Sequence, residues 1–210
     1  MNNIRNNSIL LKLYQLRYIH SRRSRKDKEM KIVVLYSNHG DADCARLTQM
    51  WEGLEDVQVF ELTRQMTDPE QEDLVNEALE TPCDVLLMCG HGTSYGLLSP
   101  DFSQYMIHEY CAPYNRTNVV GVFCHASEFA KTYGLHGFYT SMFISNINEA
   151  VDYGVTCTTD EIESQNQEFC QSIHQLLEDE VPISEWIDHF HVSDEDSSVA
   201  QFNISGLCHC

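Results

Sequence analysis

The chain has 210 residues, with 13 Lys and Arg against 32 Asp and Glu, a formal charge of -19 at pH 7, and nine cysteines. That length suits one domain with a sizeable core, the acidity disfavours nucleic-acid binding, and no stretch approaches the ~18 consecutive apolar residues that span a membrane. An odd number of cysteines without framework spacing fits reduced thiols in the cytoplasm better than a secreted disulfide scaffold.

The charge is unevenly placed. Residues 1–30 hold eight of the thirteen Lys and Arg against only Asp27 and Glu29, which leaves five basic and thirty acidic groups in residues 31–210. The division is therefore a basic segment, 1–30, and one acidic domain, 31–210. The run Ser21-Arg22-Arg23-Ser24-Arg25-Lys26 reads as a disordered arm, or as translated leader if the natural start is Met30.

Lys31 to Ser37 (KIVVLYS) is apolar on consecutive positions, the pattern of a strand buried on both faces of a parallel sheet, and it runs into Asn38-His39-Gly40-Asp41. Residues 42–54 have helical spacing. Val57 to Leu62 alternates like a more exposed strand, and Asp68-Pro69-Glu70 opens a helix. Asp84 to Cys89 (DVLLMC) is a second central strand, ending in Gly90-His91-Gly92. A loop over 93–100, rich in small residues, precedes an expected short helix at 101–111. Asn118 to Phe123 (NVVGVF) is the next central strand and ends in Cys124-His125-Ala126-Ser127. A helix is expected from Ala126, its N-terminus pointing at the Cys124 thiol and favouring thiolate. Residues 135–139 read as a short strand, 141–153 and 160–178 as helices, the latter with Thr158 and Glu161 as a capping box. Ile183 to Phe190 suggests one more helix, and Ala200, Phe202 and Ile204 alternate like a late edge strand.

Strand, crossover and parallel strand place His91 and Cys124 side by side beyond one edge of the sheet, where open α/β sheets bind ligands. The expected architecture is a three-layer α/β/α sandwich with a mostly parallel central sheet and C-terminal helices. VLLMCGHG, with His91 and Gly92, followed by NVVGVFCHAS, with Cys124, resembles the caspase-like cysteine peptidases, the group that includes caspases, gingipains, clostripain, separase and CHAT-domain proteins. The resemblance covers roughly residues 31–177. It implies a catalytic dyad: Cys124 as nucleophile, His91 as acid and base, and the backbone N–H groups of Gly92 and Cys124 as the oxyanion site. His39, Tyr95, His125 and Ser127 are candidate pocket residues. The implied substrate is a peptide or protein, cleaved after a basic residue, since three arginines in the domain (Arg46, Arg64, Arg116) are too few for an acid-selective pocket. No cofactor and no metal are called for, and neither nucleic acid nor membrane is an expected partner of the domain.

His125 directly after the cysteine is larger than that pattern favours, and 33 residues from His91 to Cys124 is short for it. Alternatives stay open: an inactive binding or regulatory protein on the same scaffold, a small-amide hydrolase using the same pair, an ordinary buried thiol beside a turn, or a zinc site of His91, Cys124 and His125 with His39. The last is disfavoured because adjacent Cys124 and His125 rarely reach one ion.

Overall fold

A computed structural model describes residues 30–193 and 196–210. The expected arm or leader over 1–29 lies outside the described residues. The elements run β1 (Ile32–Ser37), α1 (Ala42–Leu47), β2 (Val57–Leu62), α2 (Asp68–Glu80), β3 (Val85–Cys89), β4 (Gly92–Thr93), β5 (Gly96–Leu98) and β6 (Tyr105–Ile107). They continue through β7 (Val119–Val122), α3 (Ala126–Tyr133), β8 (Gly137–Tyr139), α4 (Ile147–Asp152), α5 (Thr159–Glu178), α6 (Ser198–Ser205) and β9 (Cys208–His209).

The three continuous apolar runs become β1, β3 and β7, every residue of which is buried. They lie side by side in a six-stranded sheet of order β2-β1-β3-β7-β8-β9, parallel except where β9 meets β8. Pairing sets Tyr36 against Cys89 and Cys89 against Val122. The three strands therefore end at one level, and the turns that follow leave from the same edge.

Helices cover both sheet faces, because strands apolar on every residue leave no face for water. Val33, Leu35, Leu86, Met88 and Val119 pack on one side with Val75 and Ala78 of α2 and Phe129 of α3. On the other, Val34, Leu87 and Val120 are fully buried, the Tyr36 ring meets Trp51 edge-on at 5.4 Å, and α1 touches α5. Thr158 and Glu161 form the expected capping box at the head of α5. Among the described residues no helix is long and apolar enough to cross a membrane.

Four local expectations are corrected. Residues 101–111 are not a helix: Asp101 Oδ1 accepts from Ser99 Oγ (2.7 Å) and Ser103 N (3.1 Å), a tight turn that sends Tyr105–Ile107 back as a strand against β5. Helix α1 stops at Leu47 and passes into a 3-10 turn at Thr48–Met50. Residues 141–146 lie outside the helix, and Asn146 caps a helix that starts at Ile147. The late alternating segment is helical instead: Ser197 Oγ accepts from Ala200 N, and Val199, Ala200 and Asn203 are the buried positions.

Arg116 finishes the C-terminus of α2. One guanidinium nitrogen donates to Cys83 Sγ (2.8 Å), the other to the Leu79 and Thr81 carbonyls (2.6 and 2.8 Å), closing a helix end with no basic residue in its own last turn. Arg116→Ala is expected to destabilise the domain by about 1.5–3 kcal/mol, the range for hydrogen bonds to a charged group. Urea unfolding should show a lower midpoint at unchanged slope, and an unmoved midpoint refutes the assignment.

Candidate active site

His91 follows β3 by two residues and Cys124 follows β7 by two, and the ladder continues past the strands through Gly90 N to Val122 O (3.2 Å). Gly90 sits at φ +143, and a Cβ there would lie 2.8 Å from Ser37 O, so a glycine is required for the chain to turn. His91 and Cys124 line one narrow cleft with an open volume of ≈ 60 Å³, whose walls include Asp43, Phe143, Asn166 and Phe169. That is side-chain scale, well below the ~300 Å³ of a typical small-molecule pocket.

His91 is oriented by Asp41. Its Nε2 lies 2.9 Å from Asp41 Oδ2, while Asp41 Oδ1 accepts from Cys44 N at 2.8 Å and caps α1. Burial works to raise the Asp41 carboxyl, but the bonds from Cys44 N–H and His91 hold it below its usual range, so it is an ionised acceptor at neutral pH. Nε2 of His91 must then carry the hydrogen, which leaves the Nδ1 lone pair free.

The Cys124 thiol is in a different state from the one expected. Burial pushes it up to about 11, against a lowering by the Phe143 backbone, and the negative charges of Glu149, Asp43 and Glu128 add smaller raising contributions. Its sulfur approaches the Phe143 carbonyl at 4.0 Å and makes no hydrogen bond to His91. The head of α3 does not favour thiolate because its amides are engaged: Ala126 N donates to Phe123 O (3.2 Å) and Ser127 N to Thr140 O (2.8 Å). The carboxylates are fixed by serines, with Ser145 Oγ 3.0 Å from both Asp43 and Glu149, and Ser141 Oγ 2.8 Å from Glu128.

Both expected oxyanion donors are unengaged. Leu98 N donates to His91 O (3.0 Å), which makes Gly92 and Leu97 a non-hydrogen-bonded pair and leaves the Gly92 N–H out of the ladder. Among the described residues the Cys124 backbone N–H has no acceptor. Gly92 has a packing reason as well: a Cβ there would lie 2.4 Å from the Phe123 ring.

The four candidate pocket residues are dispersed, and none lines the cleft. Tyr95 is 66% exposed on the small β4-β5-β6 sheet. His125, at φ +63, turns toward Glu128 (3.4 Å) and Tyr153 (3.5 Å). Ser127 is buried and donates to Glu128 (3.0 Å). His39 is 1% exposed behind His91, the two rings 4.6 Å apart and edge-on. Burial, with His91 beside it, lowers its pKa to about 4. Its Nδ1 donates to Ser37 O at 2.9 Å, and its Nε2 is buried without a partner, an omission that ordinarily costs about 1–3 kcal/mol.

Sequence reasoning missed Asp41, Asp43, Cys44 and Glu149. Asp41 was visible as a polar residue in the turn after β1, at the active edge. The other three sit on helices whose orientation no local pattern discloses.

Comparisons with family models, curated proteins and solved structures gave no match.

A thiol pushed up to about 11 has a distinctive pH signature. Iodoacetamide labelling of Cys124 should climb about tenfold per pH unit through pH 9 and beyond, because only thiolate reacts. A plateau near pH 9 would mean an ordinary thiol. The buried Cys44, Cys89 and Cys170 should label far more slowly than Cys124 throughout.

Proposed function

We propose that the protein is a cysteine peptidase with a three-layer, caspase-like architecture, acting in the cytoplasm on peptides or proteins with a basic residue before the scissile bond. The observation that carries this reading is the placement of His91 and Cys124 at the ends of neighbouring, in-register parallel strands, facing one cleft, with Asp41 orienting the imidazole.

The cleft is too narrow to engulf a large ligand, so the substrate main chain lies across its mouth. Cys124 Sγ attacks the carbonyl carbon as its proton passes to Nδ1 of His91. A thiol of such high pKa is almost wholly protonated at pH 7, so transfer accompanies attack and no resting thiolate is needed. Negative charge developing on the carbonyl oxygen is taken by the Gly92 and Cys124 N–H groups, an arrangement worth about 3 kcal/mol per donor. His91 returns the proton to the leaving amine, and the thioester is hydrolysed by water. Asp43, Glu128 and Glu149 make the surroundings of the thiol acidic, which favours a cationic residue, and a cation arriving there offsets the charges that hold the thiol protonated. The domain's arginines are each paired: Arg46 lines the cleft but pairs with Asp43 (3.8 Å), Arg64 donates to Pro100 O (3.0 Å) and Arg116 to the Leu79 carbonyl (2.6 Å), so no unpaired arginine is left to select an acidic residue.

Two observations favour the inactive scaffold instead: the elevated thiol and the lack of a Cys124–His91 bond. Fluorogenic peptides varied at the residue before the cleaved bond, set against simple amides, separate the readings. Arg or Lys substrates should be cleaved, Cys124→Ala should abolish turnover, and His91→Ala should lower kcat/KM by about 10²–10⁴. Cleavage of amides alone would make the protein an amidase. No turnover of any substrate, or turnover that survives Cys124→Ala, leaves the scaffold reading.

A further inference from the structure

We infer that the protein binds a borderline-soft divalent cation, with Zn²⁺ as the type, through His39, Cys44 and His91. The three come from separate elements: His39 from the turn after β1, Cys44 from the first turn of α1, and His91 from the turn after β3. One ring nitrogen of each histidine and Cys44 Sγ all lie within 4.8 Å of one another. At a tetrahedral zinc, bonds of about 2.3 Å to sulfur and about 2.0–2.1 Å to nitrogen separate neighbouring ligand atoms by about 3.3–3.6 Å. Cys44 Sγ already touches the His39 ring, 3.5 Å from Nδ1, and side-chain rotation is needed to bring it to that spacing from Nε2, the nitrogen left without a partner.

The outer shell is built for this role. Metal-binding histidines donate their second N–H to a carboxylate or carbonyl, which sets ring orientation and tautomer. Both rings here do so: His91 Nε2 to Asp41 Oδ2 and His39 Nδ1 to Ser37 O, each at 2.9 Å. Each imidazole is left with one lone pair. That of His39 is buried with no partner in a side chain 1% exposed, and a cation would satisfy it. Two imidazoles and a thiolate select zinc-like ions over magnesium or calcium, which take oxygen. Cys44 and His91 line the cleft, which supplies the entry path.

This set differs from the one the sequence suggests. Cys44 takes the place of Cys124 and His125, which lie outside the cluster. The bound ion occupies the Nδ1 lone pair of His91, so it reversibly silences the proposed peptidase while leaving Cys124 untouched. That consequence rests on the proposed function; metal binding itself does not.

The test uses the full chain, reduced and metal-free, titrated with Co²⁺ as an optical probe and back-titrated with Zn²⁺. A rival thiol pair needs a control, because Cys208 and Cys210 have their sulfur atoms 2.8 Å apart. One equivalent of Co²⁺ should give a thiolate charge-transfer band with the visible spectrum of a four-coordinate ion. Cys44→Ser and His39→Gln should lose the band, Asp41→Asn should weaken binding about 10–100-fold, and both Cys124→Ala and the Cys208→Ser/Cys210→Ser double variant should keep it. Circular dichroism checks folding. Should a buried variant unfold, His91→Gln at the part-exposed rim decides, since it too must lose the four-coordinate spectrum. No band in the wild type, a band that survives Cys44→Ser, or a band lost with the Cys208/Cys210 pair overturns the assignment.

Discussion

The site depends on the register between β1, β3 and β7. Each strand is buried on both faces, so each must satisfy its backbone polar groups in the ladder and hand the chain to a crossover that returns it to the opposite edge. With Tyr36, Cys89 and Val122 at one level, three turns leave together and bring His39, His91 and Cys124 to a single edge. A one-residue slip in any pairing would turn every side chain of that strand to the opposite face.

Within that edge Asp41 couples two elements. One oxygen ends the amides of α1, the other holds the His91 ring, so the helix start and the imidazole orientation are set by one carboxylate. The same turn buries His39 and brings Cys44 beneath it. His91 therefore shares the cleft with Cys124 and Cys44 and has the buried His39 ring at its back, and in the proposals above its one free lone pair serves either the Cys124 thiol or a bound cation.

Charge around the thiol works against easy ionisation. Glu149, Asp43 and Glu128 are each fixed by serine hydroxyls, and with burial they keep Cys124 protonated at neutral pH. In the proposed reaction this ties reactivity to His91 and to a cationic substrate, and limits adventitious alkylation or oxidation of a thiol that faces a cleft.

The amino-acid sequence by itself determined the central strands and set the second and third of them side by side. Continuous apolar runs such as IVVLYS, VLLMC and VVGV can be buried only in the middle of a parallel sheet, so the meeting of His91 and Cys124 at one edge was legible before any coordinates. The Thr158–Glu161 box was legible for the same local reason. Segments whose pattern is short or mixed were not: Tyr105–Ile107 and Ser198–Ser205 took the structure their turns and caps dictated, against the period read from their side chains. Only tertiary structure decided that Asp41 holds His91, that Cys44 joins His39, and that carboxylates from α1, α3 and α4 surround Cys124. Those relations join residues on separate elements, and distance and burial across the fold, which set a side chain's partners and pKa, leave no trace in local composition or spacing.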